Sequence, residues 1–246
     1  MAKNKKNTAP AQPSNDLLMV GENLGFDGVE AFNLLRTNLA FSFSGSKSCR
    51  LIGVTSAIPG TGKSLIAANL AYSISKMDKR VLLLDTDMRL PTVAKKLALS
   101  PKPGLSNVLV GRCKVDDAIQ HFAENMDVMP AGDIPPQPSE LLGSASMEAL
   151  IATLTQRYDY IIFDTTPITV VPDALVLASY LDGFVLVVRR EHDEKHAVRE
   201  TLRQMELSKA KILGLVFNSG EHGTAKYGKS YKKGKGSGRY YGGDKA

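Results

Sequence analysis

Apolar residues in this chain fall into short continuous runs, and helical spacings lie between them. The runs predict strands over 50–55, 81–85, 126–130, 160–164, 183–189 and 212–218. Val81-Leu82-Leu83-Leu84 has no polar interruption, which suits a strand buried on both faces of a parallel sheet. Between the runs, apolar positions recur at three or four residues. Phe32, Leu35, Leu39 and Phe43 mark a helix over 27–44, and further helices are predicted from the low sixties to about 76, over 146–156 and over 194–207. A helix-like piece also spans 115–123. Strand and helix alternate from 50 to 218, which implies an α/β domain with a predominantly parallel sheet covered on both faces.

The ends lack this pattern. Residues 1–25 are rich in Lys, Asn, Pro and Gln and then weakly apolar, so they read as a mobile arm. Residues 220–246 are dominated by Gly, Lys, Ser and Tyr and read as a disordered basic tail. A single domain over 26–219 is expected between them. Charge follows the same division. Of the net +6, residues 1–15 hold +3 and residues 221–246 hold +5, leaving −2 for the body. The high pI belongs to the ends.

No run reaches the roughly 18 apolar residues of a membrane span, and the basic N-terminus lacks the apolar stretch of a signal peptide. Cys49 and Cys113 stand apart without a metal-binding spacing. A cytoplasmic, reducing location is expected. The basic tail, with aromatics but no folded platform, makes a poor nucleic-acid site, so no nucleic-acid partner is expected.

The chemistry is concentrated in Ala57-Ile58-Pro59-Gly60-Thr61-Gly62-Lys63-Ser64, between a predicted strand and a predicted helix. This is the context that a phosphate-binding P-loop requires. Gly60 and Gly62 let the backbone curl and present N–H groups to an anion, and the following helix, entered at Leu65, adds its positive dipole end. Lys63 supplies a cation for the β- and γ-phosphates, and the Ser64 hydroxyl suits Mg²⁺. Ala57 occupies the motif's first glycine position. Residues 59–65 are therefore the candidate ATP-binding loop.

A P-loop needs carboxylates at neighbouring strand ends to organise Mg²⁺. Val81–Leu84 runs into Asp85-Thr86-Asp87-Met88-Arg89, and Tyr160–Phe163 runs into Asp164. Asp164 and Asp87 are candidates for organising Mg²⁺, and Asp85 is placed to accept or orient the proton of an attacking hydroxyl. Lys63 and the three aspartates form the candidate catalytic set, with roles interchangeable among coupled carboxylates. Arg89 is a candidate for neutralising phosphate charge.

Together the P-loop, the segment VLLLDTDMRLP (81–91) and the segment YDYIIFDTTP (158–167) resemble the bacterial protein-tyrosine kinases, P-loop kinases that regulate capsule and exopolysaccharide synthesis. The resemblance covers about residues 28–246 and looks like the cytoplasmic Gram-positive form, whose membrane-anchored activator is a separate polypeptide. It implies recruitment to the inner face of the membrane, and transfer from ATP to protein tyrosine. It also implies autophosphorylation of a C-terminal cluster between neighbouring subunits, here Tyr227, Tyr231, Tyr240 and Tyr241, half of the chain's eight tyrosines. The family's oligomer-forming Glu-x-x-Arg-x-x-Arg helix corresponds to Glu30, Asn33 and Arg36, with asparagine in place of the first arginine. In related P-loop ATPases an asparagine after the last strand reads the adenine edge, which implies that role for Asn218.

Two other classes remain for comparison. A partition- or septum-positioning ATPase needs a second lysine early in the P-loop, where this chain has Ile58. A non-catalytic, nucleotide-gated adaptor would not need Lys63, Ser64 and all three aspartates intact.

Overall fold

The computed structural model describes residues 20–43, 45, 47–190 and 195–218. These residues build one seven-stranded sheet: β1 (Arg50–Ser56), β2 (Val81–Asp85), β3 (Gln120–Ala123), β4 (Met126–Met129), β5 (Tyr160–Asp164), β6 (Gly183–Arg189) and β7 (Ile212–Asn218). Their order is β3-β4-β2-β5-β1-β6-β7, and every pair is parallel except β3 with β4.

Alternation along the strands divides the core. Val81 and Leu83 of β2 face α1 (Phe26–Ser42) and α2 (Lys63–Ser75), where Leu70 and Ile74 join Ile52, Val54 and Ile162. Leu82 and Leu84 face the opposite way. They pack with Phe163 against Leu150 and Leu154 of α7 (Ala145–Leu154). Phe184 continues that second face toward Met205 of α9 (Lys195–Leu207). All four apolar residues of β2 are completely buried, as a strand covered on both faces requires.

Short helical turns fill the connections: α3 (Val93–Lys96), α4 (Leu105–Leu109), α5 (Val115–Ala118), α6 (Pro138–Leu142) and α8 (Asp173–Val176). The helix expected over 115–123 is therefore corrected. Only α5 is helical, and the chain then turns extended at Ile119 and forms β3 as an antiparallel edge. Tertiary pairing overrides the helical spacing there, because β4 otherwise exposes a row of unpaired backbone groups. Val20 is buried, and the Gly21 N–H donates to Asn69 Oδ1 on α2 at 3.0 Å. Among the described residues, no helix is long and apolar enough to cross a membrane.

Candidate active site

The turn after β1 takes the shape its glycines allow. Gly60 and Gly62 have φ of 80° and 93°, a region that L-residues avoid. Gly62 caps α2, and its carbonyl accepts the N–H groups of Leu65 and Ile66 at 3.0 Å. Two strand ends hold the loop from outside. Asn218, the last residue of β7, donates its amide to the Thr61 carbonyl at 2.8 Å, and Arg189 at the end of β6 donates to the Gly60 carbonyl at 3.1 Å. A trans peptide points its C=O and N–H in opposite directions. Fixing these two carbonyls therefore orients the N–H groups of Thr61 and Gly62 away from Asn218 and Arg189. The entry to the loop is tied to the β5 connection, where Ile168 N–H donates to Ser56 O at 2.9 Å and Thr169 Oγ1 to Ala57 O at 2.6 Å.

The carboxylates meet through sheet register. Asp85 and Asp164 are direct partners in the β2–β5 ladder, so neighbouring strands end on acidic residues at the same height. Lys63, the first residue of α2, reaches across them. Its Nζ lies 2.9 Å from Asp87 Oδ2 and 3.4 Å from Asp164 Oδ1. Burial opposes the charge on Lys63, yet Asp164, Asp87 and Asp85 together hold its pKa above the ordinary lysine value. Burial, then the neighbouring Asp164, push Asp85 well above the usual carboxylate range. Burial raises Asp164 as well, against the pull of Lys63.

Asp85 and Asp87 occupy different positions. Asp85 is fully buried, and its two oxygens accept the backbone N–H groups of Asp87 and Val93, both at 3.2 Å. It shapes the 86–92 loop and accepts the first N–H of α3. Asp87 accepts the Leu90 N–H on Oδ1 at 3.1 Å and turns Oδ2 to Lys63. Thr92, from the same loop, donates to the Ser64 hydroxyl at 3.0 Å.

Arg89 is held in an ion pair. Its guanidinium forms a two-point contact with Asp173 (2.7 and 3.0 Å) and also donates to Ser139 Oγ at 3.2 Å. Glu30 accepts from Asn33 at 3.0 Å, and Arg36 donates to the Ser73 carbonyl of α2 at 2.6 Å within its own chain. Tyr227, Tyr231, Tyr240 and Tyr241 lie outside the described residues.

The residues present fit a hard cation and a phosphate chain. Asp164 Oδ2, Thr61 Oγ1 and Thr166 Oγ1 are buried without a hydrogen-bond partner, as polar atoms that a bound ion or phosphate would satisfy are. The oxygen donors Ser64, Asp87 and Asp164 match Mg²⁺ in kind. Among the described residues, no group of three or more His, Cys, Asp or Glu forms a self-sufficient metal cage. Mg²⁺ commonly takes one or two carboxylates and completes its shell with phosphate and water.

Comparison with known proteins decides what class of P-loop protein this is. The chain matches the AAA domain family over residues 49–209. It is 39% identical over 190 residues to the tyrosine-protein kinase YwqD of Bacillus subtilis, covering 77% of this chain and 80% of that protein. The chain belongs to the bacterial protein-tyrosine kinases. Two solved structures agree. The chimerical protein CapA2B2 superposes with a TM-score of 0.77 at 34% identity, covering 83% of this chain and 89% of that one. The kinase domain of the Escherichia coli tyrosine kinase ETK gives a TM-score of 0.77 at 32% identity, covering 85% and 82%. The kinase is an enzyme of the protein-tyrosine class on a P-loop fold.

Several residues around this kinase's site carried no signal in the sequence. Arg189 and Thr92 are ordinary strand-end and loop residues until folding brings them to the Gly60 carbonyl and the Ser64 hydroxyl. Asp173 had one available cue, a carboxylate one residue after Pro172 in the connection that follows β5.

Proposed function

We propose that this kinase transfers the γ-phosphoryl group of ATP to tyrosine hydroxyls, first among them the C-terminal cluster Tyr227, Tyr231, Tyr240 and Tyr241 of a neighbouring copy. The observation that carries the reading is the Lys63 ammonium set against Asp87 and Asp164 at the mouth of a glycine-shaped loop. Phosphoryl transfer asks a protein mainly for positioning and charge neutralisation. Lys63 and the loop N–H groups of 60–65 hold the phosphates, and in doing so Lys63 leaves the carboxylates it now neutralises. Ser64, Asp87 and Asp164 hold Mg²⁺, which supplies positive charge to the transferring phosphoryl oxygens. Asp85 keeps the 86–92 loop in place from below. Asn218 holds the Thr61 carbonyl and stands beside the nucleotide as an adenine contact.

The basic tail suits an acceptor drawn to a site lined by carboxylates and phosphates. Each phosphate adds about −1.5 to −2, so four would turn the +5 tail acidic. That reversal would loosen an assembly of copies held in part through Glu30 and Arg36. The cytoplasmic segment of a membrane-anchored activator recruits and stimulates the kinase, and the output is control of capsule or exopolysaccharide synthesis. Ile58 disfavours the switch-ATPase alternative, because no second lysine is available early in the loop.

The test is incubation with γ-labelled ATP and Mg²⁺, with and without the activator segment. Label on tail tyrosine, absent from a variant with all four tyrosines changed to Phe, is the expected result. Free phosphate with no label on protein would instead identify a switch ATPase. Sedimentation before and after phosphorylation tests the assembly, and unchanged mass would remove that part of the proposal.

A further inference from the structure

Asp173 is 1% exposed and opens α8, in the connection that follows β5. Its two oxygens accept the Nε–H and an Nη2–H of Arg89 at 2.7 and 3.0 Å, and Ser139 of α6 donates its hydroxyl to the same carboxylate. Arg89 comes from the loop after β2, Ser139 from the segment after β4, and Asp173 from the segment after β5. The three parent strands are adjacent in the order β4-β2-β5. One polar cluster therefore fastens three consecutive loops at the carboxyl edge of the sheet, where the P-loop also lies.

The cluster bears directly on Asp87. That residue stands two positions before Arg89, and its Oδ1 accepts the N–H of Leu90, the residue just after Arg89. The turn 87–90 is thus closed on itself and then pinned by the guanidinium. A planar two-point contact restrains orientation as well as distance, which a single ammonium contact does not. With the turn pinned, Asp87 Oδ2 faces the Lys63 ammonium at 2.9 Å.

We propose that Asp173, supported by Ser139, is a positioning residue for phosphoryl transfer that acts through Arg89 to set the place of the Asp87 carboxylate. Arg89 then serves the site by holding a loop, and it need not touch the phosphates. This rests on the reading that Asp87 takes part in transfer.

The experiment is a double-mutant cycle in the full chain with Arg89→Ala, Asp173→Asn and both together, read as tyrosine labelling at varied ATP and Mg²⁺. Each single change lowers kcat by roughly tenfold or more, as misplacement of a site group does. The KM for ATP stays within about twofold, the Mg²⁺ concentration for half-maximal rate rises alike in both, and the double variant is no slower than the slower single. Arg89→Lys recovers part of the loss. Multiplying effects in the double variant would overturn the proposal, as would a raised ATP KM in Arg89→Ala alone, since either means that Arg89 meets the phosphates itself. An unchanged kcat in folded Asp173→Asn would also overturn it. If Asp173→Asn fails to fold, Ser139→Ala replaces it in the cycle under the same criteria. Should the unaltered chain label no tyrosine, the kinase reading fails separately, and Mg²⁺-dependent ATP hydrolysis by the same variants tests the positioning role.

Discussion

Asp85 and Asp164 face each other across the β2–β5 ladder, both fully buried, with the Lys63 ammonium near enough to neutralise part of their charge. With Asp87, three carboxylates share that one cation, which leaves the site short of positive charge. Burial is the largest cause of the raised pKa of both acids, and repulsion from a neighbouring carboxylate adds to it in each.

A pH dependence follows with a definite sign. Raised native pKa values mean that the folded state binds more protons than the unfolded chain at pH above about 4, the ordinary carboxylate value. Stability of the ligand-free protein then falls as pH rises through the native values, by at most about 1.4 kcal/mol per pH unit for each group. Asp85→Asn removes one of the two groups. Denaturation midpoints against pH for this variant and the unaltered chain should differ by a margin that grows in favour of the variant as pH rises. A difference independent of pH would refute the assignment.

Lys63→Met deprives Asp87 and Asp164 of their shared cation. Breaking a largely buried pair costs about 3–5 kcal/mol, and Lys63, with 11% side-chain exposure, belongs near the lower figure. Tyrosine labelling should fall more than a hundredfold, in line with losing a principal charge-stabilising group. Urea denaturation without nucleotide should show the stability loss, and Mg²⁺ should restore part of it by replacing the missing charge.

Gly62→Ala tests the loop's geometry. A left-handed backbone costs an L-residue about 1–2 kcal/mol, and the new Cβ would lie 2.3 Å from Asn218 Nδ2. The amide of Asn218 must then leave the Thr61 carbonyl. Nucleotide binding measured by calorimetry should drop below detection, while Asn218→Ala should weaken it by a smaller factor and leave the fold intact. Equal affinities for Gly62→Ala and the unaltered chain would contradict the geometry described for the loop.

Gly53, inside β1, has a different reason to be glycine. A Cβ there would meet the Phe184 ring at 2.4 Å and Leu181 at 2.7 Å. Gly53→Ala should destabilise by about 1–3 kcal/mol through overpacking, and Phe184→Leu in the same chain should recover part of that. Thermal melts of the three variants check it; an additive double variant would show that the two side chains do not compete for the space.

Much of the site could be read before folding was considered, because its parts are local. A P-loop is eight consecutive residues, Val81–Leu84 announces a doubly covered strand by composition alone, and an aspartate ending such a strand points to the edge where ligands bind. Residues with ambiguous local patterns depended on their surroundings. Residues 115–123 carry helical spacing, yet Asp117 accepts the Lys114 N–H, the helix stops after one turn, and β4 recruits the remainder as an edge strand.

The sequence by itself determined the class of this protein, the phosphate loop with Lys63 and Ser64, and the carboxylates Asp85, Asp87 and Asp164. Tertiary structure alone decided that Asp85 and Asp164 share a register, and that Asp85 binds backbone while Asp87 meets Lys63. It also decided that Arg89 turns to Asp173, and that Asn218 closes on Thr61 across 157 positions. The reason is physical: residue type and spacing carry local conformation and chemical capacity. A charged or amide side chain takes its partner from whatever the packed strands bring within about 3 Å, and that distance is not written in any short stretch of chain.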